Sequence, residues 1–125
     1  MTYKIIKEKL DNGKLVILDA AMGSELEKSG AKMDKNLWCG TCSVEVPELV
    51  RKVHEDYIKA GADVITTNTY ASTPISMKNY GLEGSIERFN QKSVEIAKKA
   101  IENSKKNIAL AGSVSASGSY YKLGV

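Results

Sequence analysis

The sequence predicts an α/β fold built on a parallel sheet. Three short apolar runs, at residues 15–18, 62–67 and 108–114, are rich in Val, Ile or Leu. None alternates cleanly with a period of two, which is how strands buried on both faces read. Helical patterns fill the intervals, so the order is strand, helix, strand, helix, strand. That order implies parallel strands joined by right-handed crossovers.

The elements follow in turn. Residues 1–10 are polar and Lys-rich, with Lys4, Lys7 and Lys9. The first run ends at Asp19, and α/β enzymes place substrate-touching residues at such strand ends. A cap on the following helix is an equally open role for this carboxylate. Residues 24–29 read as a short helix stopped by Gly30. A second helix opens at Pro47 and ends at Gly61, with Leu49, Val50, Val53, Tyr57 and Ile58 on one stripe. Between the second and third runs, Ile86, Phe89, Val94, Ala97, Ala100 and Ile101 form another stripe. Both crossovers are longer than the dozen or so residues that a parallel connection requires. The spare length lies at 31–46 and 70–85, where working loops are expected. The third run leads into a small-residue loop at 112–119, and the chain stops soon after at Val125. Since a helix should follow a parallel strand, the sequence reads as the N-terminal piece of something larger.

Composition narrows the functional classes. The 125 residues are 42% hydrophobic and 26% charged, enough for one modest core. The net charge of +3 comes from 18 basic and 15 acidic residues. Lys98-Lys99 and Lys105-Lys106 read as the solvated face of one helix, and no basic block alternates with aromatics, which argues against nucleic acid. No stretch approaches the roughly 20 apolar residues of a membrane span, and no signal-peptide core is present. A cytoplasmic protein with reduced cysteines is the expectation.

The segment Trp38-Cys39-Gly40-Thr41-Cys42 invites a thiol–disulfide oxidoreductase reading. That mechanism needs a buried strand running into the motif and a helix starting at the first cysteine. The preceding residues, 30–37, read as loop. A zinc site is one ligand short, because Cys39, Cys42 and the single His54 need a carboxylate to complete four. His54 itself reads as a helix-surface residue. No Ser-His-Asp set, phosphate loop or dinucleotide fingerprint is present.

Several motifs then act in series: DAAMGSELE at 19–27, Leu37-Trp38, Val46-Pro47-Glu48-Leu49-Val50, YIKAGADVITTNTY at 57–70 and Ala111-Gly112-Ser113-Val114. Over about residues 15–118 they resemble, in order and spacing, the N-terminal part of the homocysteine S-methyltransferase family. That family includes S-methylmethionine- and betaine-dependent enzymes and the homocysteine domain of methionine synthase. The resemblance implies a (β/α)8 TIM-type barrel, with residues 1–125 supplying its first three βα units as a partial homocysteine-binding domain. It implies methyl transfer to homocysteine, giving methionine, with a zinc-bound thiolate attacking a sulfonium, ammonium or folate methyl group.

By the same resemblance, Asp19 matches the acidic residue that meets the amino group of homocysteine. Ala20, Ala21 and Met22 match the turn whose backbone N–H groups approach its carboxylate. The family often has Gly at position 20, and Ala there narrows that approach. Trp38 matches an aromatic lining the pocket, with a rim-covering loop residue as the alternative. Asn68, Thr69 and Ser113 end their strands beside the same cavity, although small polar residues end many strands without a task. The family's zinc ligands are three cysteines near later strands. Cys39 and Cys42 do not match them, so no metal ligand is assigned and the chain alone is expected to lack catalysis. Three strands cannot close a barrel, which leads us to expect self-association or a complementary chain. A non-catalytic assembly module is the competing reading, with the Cys39/Cys42 oxidoreductase behind it. The methyl donor stays open.

Overall fold

The computed structural model describes residues 2–115. Strands β1 (Val64–Thr66) and β2 (Ala109–Ala111) pair in parallel, with Val64 opposite Ala109 and Thr66 opposite Ala111. Helices α1 (Thr2–Asp11), α2 (Met22–Lys28), α3 (Cys42–Glu45) and α4 (Pro47–Ala60) precede β1. Helix α5 (Pro74–Lys78), a 3₁₀ turn (Glu83–Ser85) and the long α6 (Ile86–Ser104) connect the two strands. The parallel α/β class read from the sequence is therefore present. The part of the 112–119 loop beyond Ser115, and the chain end at Val125, lie outside the described residues.

The first apolar run departs from expectation. Instead of a buried strand it forms one parallel bridge, Leu18 to Val64, extended by Asp19 N–H to the Val64 carbonyl at 2.9 Å. Leu15 is 82% exposed and Leu18 66% exposed. One edge of this run meets the sheet, and among the described residues no strand covers the other. Side chains gain burial only from neighbours on both sides, which the apolar composition of the run had implied.

Helices α4 and α6 pack together against the sheet. Ile58 of α4, Ala97 and Ala100 of α6, Ile65 and Ile108 share one core. Val50 and Val53 of α4 join Leu26, Cys42 and Ile96 in a second. Both stripes therefore face inward as their spacing required. Gly61 ends α4 at φ 112°, a left-handed conformation that favours glycine. Helix α6 stops at Ser104, so Lys105 and Lys106 follow it instead of sharing its face with Lys98 and Lys99.

Two further features depart from the sequence reading. Helix α1 lies against β2, and Lys9 pairs with Asp63, whose second oxygen accepts from Ile17 N–H at 3.0 Å. The Lys9 ammonium, then the Ile17 N–H, hold the Asp63 carboxyl below its usual range. His54 is fully buried, which corrects the surface reading. It follows Val50 and precedes Ile58 by four residues each, so it sits on the inward stripe. Among the described residues no helix is long and apolar enough to cross a membrane.

Candidate functional site

At the C-terminal end of β1 lies a cavity of about 320 Å³. Asp19, Ala20, Ala21, Met22, Trp38, Asn68 and Ser113 all line it, and of the residues expected there only Thr69 is absent from its wall. Gly23, Cys39, Thr66, Thr67, Tyr70 and Ala71 complete the wall.

Asp19 is half-buried and does not cap α2, whose first turn takes no side-chain cap. Its Oδ2 accepts the Thr66 N–H at 2.7 Å and its Oδ1 the Thr66 hydroxyl at 2.9 Å. The carboxylate is thus anchored to the neighbouring strand while its residue stays on the cavity wall. The turn after it is held from α4, where the Tyr57 hydroxyl donates to the Ala21 carbonyl at 2.9 Å. Burial, and then the nearby Glu25 and Asp19 carboxylates, raise the Tyr57 hydroxyl above its ordinary pKa, so it stays a donor. Neither Thr66 nor Tyr57 was picked out from the sequence. Tyr57 read as part of an apolar stripe and of the 57–70 motif, and Thr66 as part of the 62–67 run and the same motif, with no role given to either.

Trp38 forms the opposite wall. It adopts φ 50°, unusual for a residue with a side chain, and exchanges two backbone hydrogen bonds of 2.9 Å with Asp34. A Cβ on Gly23 would stand 2.7 Å from Trp38 Cζ2, so only glycine lets the indole lie this close to α2. The Asp34 carboxylate takes the Asn36 and Leu37 N–H groups at 2.8 Å each, which lowers its pKa.

Asn68 and Ser113 lie on the wall with their polar groups engaged by the protein. Asn68 bonds to Cys39 and Ser43. The Ser113 N–H donates to Thr67 Oγ1 at 3.2 Å and its carbonyl accepts from Thr69 Oγ1 at 2.7 Å. Thr69 instead lines an adjoining hollow of about 340 Å³, which shares Thr67 and Ser113 with the first. A roomier hollow of about 440 Å³ sits at the other end of the strands, between the C-terminal parts of α4 and α6. There Glu55 accepts from Arg51 at 3.1 Å and from Asn103 at 2.7 Å.

The cysteines are free and buried. Burial raises the Cys39 thiol, and burial followed by the neighbouring Cys39 and Glu45 charges pushes Cys42 up to about 11. An activated thiol requires the opposite shift. Among the described residues no three His, Cys, Asp or Glu side chains converge to hold a metal ion. The residues present do not fit the zinc that the family resemblance implies.

A family profile described as homocysteine S-methyltransferase matches residues 16–124. The chain belongs to the homocysteine S-methyltransferase family. The homocysteine S-methyltransferase of Escherichia coli (strain K12) is 39% identical over 122 residues, covering 92% of this chain and 39% of that protein. The homocysteine S-methyltransferase YbgG of Bacillus subtilis (strain 168) is 41% identical over 96 residues, covering 76% of this chain and 30% of that protein. The crystal structure of the E. coli homocysteine methyltransferase MmuM in its metallated form superposes with a TM-score of 0.82 at 35% identity, over 96% of this chain and 44% of that one. The chain therefore spans about two-fifths or less of the curated relatives it matches.

Proposed function

We propose that this chain supplies the amino-acid-binding wall of a homocysteine S-methyltransferase, as the first part of a (β/α)8 barrel. The observation that carries the reading is the Asp19 carboxylate, fixed by Thr66 on the wall of a cavity closed by Trp38. A carboxylate so held suits the ammonium group of homocysteine through a charge-assisted hydrogen bond. Backbone N–H groups at Ala20, Ala21 and Met22 then face the substrate carboxylate. Trp38 gives the aliphatic part of the substrate an apolar wall, with the Ser113 turn bounding the far side.

The part played by these residues is binding and orientation. Nothing in the cavity generates a thiolate, because Cys39 engages Asn68 and no metal ligand set is present among the described residues. The methyl donor and the activation of the homocysteine thiol belong to residues outside the described set. In this reading the protein is cytoplasmic and touches neither nucleic acid nor membrane.

A second reading, assembly with a complementary chain or a second copy, is favoured by one specific feature. Leu15, Ile17 and Leu18 are 82%, 50% and 66% exposed along a run whose outer edge is unpaired among the described residues. Such an edge pairs readily with another strand. The two readings are compatible.

Trp38 is the only tryptophan and lines the cavity, so its fluorescence reports occupancy. A homocysteine titration should give a saturable change that weakens at least about tenfold in Asp19→Ala. No change in a folded sample would make the chain a scaffold instead of a binding wall.

A further inference from the structure

The amide of Asn68 is committed to the protein on every side. Its Nδ2 donates to the Cys39 carbonyl at 2.8 Å and to Ser43 Oγ at 3.2 Å, while its Oδ1 accepts the Cys39 thiol at 3.3 Å. Cys39 is thereby gripped twice, once through its backbone and once through its side chain. The network continues inward: Ser43 Oγ lies 2.8 Å from Ser93 Oγ, which is also 2.9 Å from the Phe89 carbonyl and 3.1 Å from the Asn68 carbonyl. Ser43 and Ser93 are completely buried, and Asn68 is 6% exposed. This polar chain ties the end of β1 to α3 and α6 in a region where every donor left unpaired would be costly.

Trp38 immediately precedes the gripped residue. Its own backbone is locked on the other side by the two hydrogen bonds to Asp34, and its φ of 50° is one that a free loop would abandon. Two clamps, one on Trp38 and one on Cys39, therefore hold the indole against Gly23. We infer that Asn68 is a positioning residue: by gripping Cys39 at both ends it seats Trp38 over the cavity, and it makes no substrate contact of its own. Its location at the strand end, which suggests a ligand contact, serves to bring the amide under the loop instead.

The test uses two variants of the full chain. Asn68→Asp keeps the shape and removes both N–H donors, and places a carboxylate oxygen opposite the Cys39 carbonyl. Ser43→Ala breaks the network away from the cavity wall. In the absence of any ligand, both should show red-shifted Trp38 emission and stronger acrylamide quenching, with far-ultraviolet circular dichroism unchanged. Folded variants whose Trp38 emission and quenching match the unsubstituted chain would overturn the inference. If Asn68→Asp fails to fold, Ser43→Ala decides alone.

A second arm rests on the proposed homocysteine site. Affinity should fall about tenfold in Asn68→Asp and less in Ser43→Ala, tracking the change at Trp38. Lost affinity in Asn68→Asp with Trp38 undisturbed would mean direct contact with the ligand and would sink the positioning role. If the unsubstituted chain binds no homocysteine, the functional reading fails, and the ligand-free spectra still decide the role of Asn68.

Discussion

Asp19 and Thr66 are joined through both oxygens of one carboxylate and both donors of one threonine, at 2.7 and 2.9 Å. The bond reaches across 47 residues of chain and fixes the charge of the first run to the end of β1. Thr66→Val keeps the strand shape and the N–H bond but deletes the hydroxyl. Unfolding free energy should fall by about 1 kcal/mol, and homocysteine affinity several-fold, as Asp19 gains rotational freedom. Thr66→Ser should restore both. Denaturant titration and Trp38 fluorescence check the pair, and an affinity unchanged in Thr66→Val would remove Thr66 from the site.

Gly23→Ala sets two effects against each other. Alanine is the better helix former by about 1 kcal/mol. Its Cβ, however, would meet three Trp38 ring carbons at 2.7 to 2.9 Å. The indole must leave its place, so we expect net destabilisation of about 1–3 kcal/mol together with a shifted Trp38 emission. A stabilised variant with the original spectrum would show that the indole does not rest on Gly23.

His54 should make stability fall with acid. Neither ring nitrogen has a hydrogen-bond partner, and burial pushes the pKa down to about 4 from 6.5. The unfolded chain therefore takes up a proton that the folded chain refuses. Stability is intact above pH 6.5 and is lost as the pH falls toward 4, by a total on the order of 3 kcal/mol. Asp34 and Asp63 are held below 3.8 and lose their contribution only in stronger acid. In His54→Leu, the slope between pH 6.5 and 4 should largely vanish and stability at neutral pH should rise. An identical slope in the variant would assign it to other groups.

The two thiols should be slow to react. With Cys42 pushed up to about 11 from 9.0, its thiolate is scarce near neutrality. Alkylation of Cys42 in the folded protein at pH 8 should run about a hundredfold slower than after unfolding, from thiolate population alone. Equal rates would reopen the oxidoreductase reading of Cys39 and Cys42.

Elements whose signal is local were readable from the residues. Pro47 and Gly61 bracket α4, and the stripes of α4 and α6 face inward as their periodicity demands. What failed depended on neighbours. The run at 15–18 carries the composition of a buried strand yet has only one partner, so it stays exposed. His54 was legible in principle, since Val50 and Ile58 stand four residues to either side, but a polar residue in an apolar stripe is easily read as its edge. At the site, Asp19, Trp38 and the turn between them were visible as motifs. The roles of Thr66 and Tyr57 and the grip of Asn68 on Cys39 were not, because hydrogen bonds spanning 29 to 47 residues leave no periodicity in the chain.

The cavity walls come from residues 19–23, 38–39, 66–68 with 70–71, and 113, four separate returns of the backbone to one place. A molecule lodged there touches all four at once and touches none of them together in an unfolded chain. It would act as a fastener, adding about 2.7 kcal/mol of stability at a hundredfold excess over its dissociation constant. The thermal midpoint of this protein should therefore rise with the supply of whatever the cavity accepts, which turns melting into an assay for its ligand.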